Sequence, residues 1–291
     1  MEIYNNSEQA ILEALGEFQF LTSTQLVRLG RAGSRWTVWK NLNRLINTAR
    51  APVARMNYPA NPSLGRLDSI HYLTPFGVRL LEGERSDRED VKAPRRVGVV
   101  FTSDYSHRIG VIDFFIALKM WAEKNGFETA HKSFYFEQKT GSNRNNKGGK
   151  SLSDNRLDID KNGVSYIIPD GVAIVSRGEE KPFFLLMEQH NGKDTKRFMR
   201  QAYGHTLAIG EGLPSLKFGV KHQGEYIANR VFCVFENPAC MQASMYRLAK
   251  NLDFDFTDVE PFFLFKTLDA MQNTTFETGW QYANGRMVEI R

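Results

Sequence analysis

Two apolar segments joined by a short polar turn constrain the fold of this 291-residue chain more than any other feature. Residues 164–176 (VSYIIPDGVAIVS) and 182–190 (PFFLLMEQH) are each apolar enough to form a strand. Such a pair predicts a β-hairpin whose strands lie inside a sheet. If the turn is centred on Glu179, antiparallel pairing places Asp170 directly opposite Glu188.

The two opposed acids predict a metal site. Directly opposed residues have Cβ atoms about 4.5–5.5 Å apart, and carboxylates that close repel each other unless a proton or cation lies between them. Magnesium or manganese suits such a pair because hard cations prefer oxygen ligands. Strand alternation also places His190 on the same face as Glu188. The alternative is that Asp170 and Glu188 are ordinary surface acids at strand ends.

A basic helix is predicted directly after this hairpin, over residues 194–209. Lys196, Arg200 and Tyr203 share one face of it, and Lys193 precedes it on the same side. A basic ridge beside paired acids suits a phosphodiester, although a solvated basic face is the alternative. Tyr203 is a candidate nucleophile only through its place on this face, and a structural tyrosine is the alternative.

The first hundred residues show a different pattern. Helices are predicted to begin near Ser7, Thr22 and Ser34, and two β-prone segments follow at 53–58 and 70–73. Three short helices followed by a two-stranded ribbon are typical of a winged helix-turn-helix domain, whose third helix enters the major groove of DNA.

The charge of this region favours DNA as its partner. Nine Lys and Arg residues lie between Thr22 and Arg79, against the single acid Asp68, and such a field attracts a polyanion. The alternatives are a solvated helix face and a protein-interaction module. The residues predicted to contact DNA are Arg35, Trp36, Lys40, Asn43 and Arg44 on the third helix, and Lys196 and Arg200 on the later basic helix.

Composition sets the broader limits. We predict a winged-helix domain over residues 1–82, a charged linker over 83–97 and a second domain over 98–291. The chain has no apolar run near the roughly 20 residues of a membrane span, and its first residues lack the pattern of a signal peptide. Two cysteines cannot build a disulfide scaffold. We therefore expect a cytoplasmic protein with no membrane insertion. The basic stretch 138–155 is predicted to be a loop.

The ordered motifs resemble those of a known family. Pro169-Asp170 followed by E-x-H at residues 188–190 and a helix is similar to the skeleton of PD-(D/E)XK nucleases. Together with the winged-helix pattern, HYLTPFGVRLL and EQHNGKDTKRFMRQAYGH, the chain over residues 7–236 resembles the replication-relaxation family, and within it MobC-type relaxases of mobilisable plasmids.

The resemblance implies an α/β (α+β) fold, with a winged helix-turn-helix domain and a restriction-endonuclease-like PD-(D/E)XK domain around a mixed central sheet. It also implies a metal-dependent, site-specific endonuclease (relaxase) that nicks one strand at a plasmid origin of transfer. Asp170 and Glu188 would hold Mg²⁺ or Mn²⁺, and His190 and Lys193 would assist catalysis. The implied partners are double-stranded or nicked DNA at that origin, an accessory mobilisation protein and a coupling protein.

One position departs from the nuclease pattern, because His190 replaces the usual lysine. A histidine can act as an imidazolium, a general base or a metal ligand, but it is only partly cationic at neutral pH. Lys193 or Lys196 can supply the missing charge. His107 and Asp113 on the preceding predicted helix are auxiliary candidates, and their spacing allows only one of them to face the site.

Three other functions are consistent with parts of the sequence. The first is a non-catalytic, origin-binding replication or transcription factor with a degenerate nuclease domain, which the histidine substitution supports. The second is a tyrosine relaxase of the His-hydrophobe-His class, although the six histidines include no such pair. The third is a host-side restriction or repair nuclease on the same fold.

Overall fold

The computed structural model divides into two compact units, Met1–Tyr105 and Ser106–Arg291. Most of the predicted charged linker and nearly all of the predicted basic loop lie outside the residues that it describes. Those are residues 4–31, 33–61, 65–84, 104–136, 155–160, 162–250 and 260–290.

The first unit begins with helices at the predicted places. Its helices are α1 (Asn6–Phe18), α2 (Ser23–Arg28), α3 (Arg35–Ile46) and α4 (Pro75–Glu84). Thr22 and Ser34 cap α2 and α3 as predicted. The predicted cap of α1 is wrong, because Asn5 accepts the Glu8 N–H at 2.9 Å and the Glu8 carboxylate accepts the Asn5 N–H at 3.0 Å. This reciprocal capping box satisfies two helix-end donors and leaves Ser7 inside the helix.

A small antiparallel sheet completes the first unit. Its strands occur in the order β1, β5, β2, and Val53 of β2 pairs with Leu73 of β5. The two predicted β segments are therefore confirmed as a paired ribbon, and β1 adds a third strand on the other side of β5. The unit's strands are β1 (Leu21–Thr22), β2 (Val53–Met56), β3 (Ala60–Asn61), β4 (Gly65–Arg66) and β5 (Ile70–Leu73).

The second unit alternates helices with strands. Its helices are α5 (Tyr105–Lys124), α6 (Thr195–Gly210), α7 (Leu213–Phe218), α8 (Pro238–Ala249) and α9 (Leu268–Asn273). Its strands are β6 (Glu128–Phe134), β7 (Leu157–Asp158), β8 (Tyr166–Ile167), β9 (Gly171–Ser176), β10 (Phe183–His190), β11 (Lys221–His222), β12 (Glu225–Tyr226), β13 (Arg230–Phe235), β14 (Phe263–Thr267), β15 (Trp280–Gln281) and β16 (Met287–Val288).

Seven of these strands form one mixed sheet in the order β16, β15, β14, β13, β10, β9, β6. Strand β10 is parallel to β13 and antiparallel to β9, which confirms a mixed α/β fold with a mixed central sheet. Phe232 of β13 packs against Phe114 of α5 on one face of the sheet. On the other face of the sheet, the neighbouring residue Cys233 packs in a core with Phe198 of α6 and Met241 of α8. Helices therefore cover both faces of the central strands.

Two glycines allow α5 to lie unusually close to the sheet. A Cβ added at Gly171 of β9 would lie 2.2 Å from Cε2 of Phe115, and one added at Gly110 of α5 would lie 2.8 Å from Oε1 of Gln189. Because no side chain occupies either position, the helix can approach the strands at backbone distance.

We expect Gly171→Ala to lower the free energy of unfolding by about 1–3 kcal/mol, because a methyl group there forces the buried Phe115 ring to move. Gly210→Ala is the matched control, since a Cβ added there would meet nothing within 4 Å; it should change stability by no more than about 1 kcal/mol. Urea unfolding of the two variants measures both effects. Equal stability of the two variants would contradict the close approach of α5.

Candidate functional site

The β9–β10 hairpin brings the two predicted acids together. Met187 pairs with Gly171 at the last step of the ladder, so Asp170 and Glu188 are the next two positions along the same antiparallel register. This is the alignment that the sequence predicts. Both side chains are buried, and Glu188 is only 2% exposed. The register thus makes the two buried acids neighbours on adjoining strands, close enough for the charge of Asp170 to act on Glu188.

Asp170 is held at the end of the hairpin by two donors. The Gln189 N–H donates to its Oδ2 at 2.7 Å, and Nε2 of His107 lies 3.0 Å from its Oδ1. Since the ladder ends at Met187, the aspartate side chain accepts a strand N–H that β9 no longer pairs. His107 comes from the first turn of α5.

Only one of the two predicted auxiliary residues lies beside the acids. His107 contacts Asp170, whereas Asp113, two turns further along α5, accepts a hydrogen bond from Nε2 of Gln272 at 2.6 Å. Gly110 lies between them in sequence and faces Gln189 of β10. The close approach at this glycine brings the beginning of α5 within reach of Asp170.

Glu188 is held by two residues of α6 that sequence reasoning missed. Nε2 of His205 lies 2.7 Å from its Oε1, and Nε2 of Gln201 donates to its Oε2 at 2.9 Å. The sequence contains a pattern that points to these two residues. Gln201 and His205 are four residues apart, and His205 continues the apolar face of Phe198 and Ala202. A polar pair at helical spacing within a buried face indicates a buried polar partner.

Burial controls the protonation of this cluster. It raises the pKa of the Glu188 carboxyl well above its usual value, and the charge of Asp170 raises that pKa further. Burial also lowers the pKa of His205 to about 4, although the Asp170 charge opposes this shift. His205 is therefore neutral at pH 7. Within the described residues no Lys or Arg side chain lies within ion-pair distance of Glu188.

His190, the residue in the usual lysine position, lies between two aromatic rings. Its ring centroid is 5.1 Å from that of Phe198 and 4.6 Å from that of Phe235. Its Nε2 is buried and has no hydrogen-bond partner among the described residues. Removal from water lowers the pKa of His190 to about 3, so the ring is neutral at pH 7. These surroundings agree with a neutral His190 that acts as a general base or a metal ligand, and not with an imidazolium.

The predicted basic residues after the hairpin are exposed. Lys193 lies in the loop before α6, and Lys196 and Arg200 lie on the solvent side of that helix. No hydrogen bond or ion pair joins these three side chains to Asp170 or Glu188 in the part of the chain that the structure describes. Arg197, which sequence reasoning did not select, is a cation whose charge lowers the pKa of Glu188.

The predicted DNA-contacting residues of the first unit lie mainly on the open side of α3. Arg35, Trp36, Lys40 and Arg44 are exposed, and Asn43 is half-buried. Two of the cations have acidic neighbours. Nε of Arg44 lies 3.1 Å from Oε1 of Glu8, and Nη2 of Arg35 lies 3.8 Å from Oδ1 of Asp68.

The donor set at the acid pair suits a small hard cation. No group of three or more His, Cys, Asp or Glu side chains with the arrangement of a metal site occurs among the residues described. Magnesium, however, is commonly bound through one or two carboxylates and keeps several waters. The Asp170 and Glu188 oxygens match this chemistry. Burial and the charge of Asp170 raise the pKa of Glu188, and the charges of His107 and Arg197 oppose only part of this shift.

Comparison with known proteins identifies the family. A sequence model of the replication-relaxation family matches residues 12–197, more than half of the chain, so the chain belongs to that family. Membership indicates a DNA-related role in plasmid replication or mobilisation. Neither the curated proteins nor the solved structures contain a match to the chain. None of the helices within the described ranges has both the length and the apolar character to cross a membrane.

The raised pKa of Glu188 predicts how stability depends on pH in the presence of EDTA. As pH rises above about 4.5, Glu188 ionises in the unfolded chain before it ionises in the folded chain. The free energy of unfolding of the wild type therefore falls with pH until the pH reaches the pKa of Glu188 in the folded chain. Glu188→Gln cannot ionise, and Gln201 can turn its amide to match the new side chain. We expect the variant to be more stable than the wild type at pH 8, by about 1 kcal/mol or more.

Urea unfolding between pH 4.5 and pH 8 measures this difference, which should vanish at the acidic end. Glu225→Gln, which removes an exposed acid, is the matched control and should leave the wild-type pH profile unchanged. A Glu188→Gln profile parallel to that of the wild type would contradict the raised pKa of Glu188.

Proposed function

We propose that this member of the replication-relaxation family is a metal-dependent, site-specific DNA endonuclease that nicks one strand at a plasmid origin of transfer. The observation that carries the proposal is the buried acid pair of Asp170 and Glu188, which lies next to the last paired step of the β9–β10 register on each strand. Paired acids on adjoining strands followed by a helix agree with a PD-(D/E)XK-like domain. Metal-dependent nucleases use carboxylates to hold the cation that stabilises the reacting phosphate.

Asp170 and Glu188 would hold the Mg²⁺ or Mn²⁺ ion. When bound, such an ion offsets charge on the scissile phosphate and lowers the pKa of the attacking water. The surrounding residues fix the two carboxyl groups before any cation arrives. His107 and the Gln189 N–H orient Asp170, and Gln201 and His205 of α6 orient Glu188. These neighbours are positioning residues, since they act through the carboxylates.

The exposed cations after the hairpin complete the proposed site. Lys196 and Arg200 on α6 would bind the DNA backbone, because both are exposed and Lys and Arg side chains are common donors to phosphate oxygens. Lys193 would lie nearest the acids along the chain and supply the charge that the neutral His190 does not carry. His190 and Lys193 remain the predicted catalytic helpers.

The first unit would find the DNA site. Helices α1 to α3 and the β2–β5 ribbon have the order of a winged helix-turn-helix domain, in which the third helix enters the major groove. Arg35, Lys40 and Asn43 on α3 offer donors that match phosphates and base edges. The accessory mobilisation protein and the coupling protein are partners that the family resemblance implies.

A second function is favoured by one observation. Because burial keeps His190 neutral, the position that usually supplies a lysine has no charge at pH 7. A protein of this kind that had lost its chemistry would bind an origin of replication or transfer without nicking it. The nicking experiment separates the two functions.

We expect the wild type to convert supercoiled plasmid carrying the cognate mobilisation region into open circles with Mg²⁺ or Mn²⁺, and not with EDTA. Glu188→Ala should nick at least about 100-fold more slowly, because the loss of each 1.4 kcal/mol of transition-state stabilisation costs about tenfold in rate. Glu180→Gln is the matched control, since it removes an exposed acid on the same hairpin. Agarose gel electrophoresis quantifies the open circles.

Nicking retained in Glu188→Ala would contradict the assignment of the site. A wild type that instead binds the plasmid tightly, with or without metal, and leaves it supercoiled would favour the origin-binding function.

Metal binding is testable without activity. We expect saturating Mn²⁺ to raise the melting temperature of the wild type by a few °C, since a ligand at about 100 times its Kd stabilises by about 2.7 kcal/mol. Glu188→Gln should lose most of this increase, because an amide is a poorer ligand than a carboxylate, and Glu180→Gln should keep it. Differential scanning fluorimetry measures the shift. An equal increase in all three proteins would place the metal elsewhere.

A further inference from the structure

Two tryptophans form an exposed stack on α3. Trp36 is 67% exposed and Trp39 is 51% exposed. Their ring centroids lie 4.8 Å apart and the ring planes differ by 24°, so the indoles are nearly parallel. Large apolar side chains exposed as a contiguous patch mark a binding surface more often than singly scattered ones. Only Trp36 was selected from the sequence, as a groove-facing residue.

The stack does not belong to the core of the first unit. The buried face of α3 is formed by Val38, Leu42 and Leu45, whereas Trp36 and Trp39 are both exposed. Among the described residues, the only aromatic ring that either indole contacts is the other. Because most of the Trp36 side chain is exposed, its ring is accessible to a further planar group.

Cations flank the stack on the same helix. Arg35 precedes Trp39 by four residues and Lys40 follows Trp36 by four residues, a spacing that places each pair on neighbouring turns of one side. Both cations are exposed. The only acid between Thr22 and Arg79 is Asp68, whose carboxylate also accepts a hydrogen bond from Thr24 at 2.8 Å. The positive charge around the stack therefore favours a planar ligand that is part of a polyanion.

We propose that Trp36 and Trp39 form a stacking platform for unpaired DNA bases, with Arg35 and Lys40 contacting the adjoining phosphates. The inference rests on the proposed DNA-binding role of the first unit and specifies its substrate. Base pairs inside a duplex have their faces covered by neighbouring pairs, and their groove edges require donors and acceptors. Tryptophan has a single N–H donor, whereas its ring stacks on any unpaired base.

The consequence is that α3 distinguishes DNA with unpaired nucleotides from fully paired DNA. Trp36, as the more exposed indole, supplies the outer face, and Trp39 supports it from behind. A short unpaired segment beside a duplex, such as the frayed end at a nick, satisfies both the stack and the flanking cations.

The test uses the full-length protein and three labelled probes: a thymidine oligonucleotide, a blunt duplex, and the same duplex with a thymidine overhang. Binding is followed by anisotropy and by tryptophan fluorescence. The other two of the four tryptophans, Trp121 and Trp280, are buried, so quenching reports on the stack. We expect the wild type to bind the overhang duplex more tightly than the blunt duplex and to show quenching with both unpaired probes.

Trp36→Leu keeps apolar area but removes the aromatic face. It should bind the thymidine oligonucleotide at least about fivefold more weakly and lose the overhang preference, with a clearly smaller loss for the blunt duplex. Trp36→Phe should be intermediate. Tyr246→Leu on α8, which removes a 62% exposed ring in the second unit, is the matched control and should match the wild type. Circular dichroism melting confirms that each variant is folded.

Unchanged binding of all three probes by Trp36→Leu would overturn the inference and leave the stack to a protein partner. An equal loss for the duplex and the unpaired probes would also overturn it, because the indole would then be a groove contact. A wild type that binds the duplex without preferring the overhang overturns the platform alone. A wild type that binds no DNA overturns the DNA-binding role as well.

Discussion

The antiparallel register of β9 and β10 is the constraint on which the rest of the site depends. Pairing of Met187 with Gly171 makes Asp170 and Glu188 the next positions on adjoining strands. A shift of one residue would send one of the two carboxyl groups to the other face of the sheet. Burial on both faces fixes this register, because helices cover the central strands from each side.

The two acids are held in different ways. Asp170 accepts a backbone N–H and contacts His107 at the rim of the sheet, whereas Glu188 lies below the surface with donors from α6. Burial and the Asp170 charge together raise the pKa of Glu188. A buried acid whose pKa is shifted by burial and by a nearby charge marks a functional site in many enzymes. The family supplies the DNA context, and the pair supplies the chemistry proposed for it.

The sequence predicted the features that depend on periodicity. The hairpin register, two of the three helix caps in the first unit and the paired ribbon follow from alternation and capping residues, which act over a few positions. Partners from distant segments could not be predicted in the same way. Gln201 and His205 meet Glu188 only because α6 packs on the face of β10 that carries it, and helical spacing alone showed an apolar stripe containing a histidine. His190 was identified by its place in a motif, but its aromatic surroundings come partly from β13.

The acid pair also bears on the order of folding. The hairpin that carries Asp170 and Glu188 is local in sequence, whereas the donors that satisfy the two carboxyl groups come from α5 and α6. A hairpin buried before those helices dock would leave both carboxyl groups without these hydrogen-bond partners, which costs free energy. The pair therefore makes burial of β9 and β10 unfavourable until α5 and α6 have docked. It favours a sequence of events in which collapse of the sheet and docking of its two helices occur together.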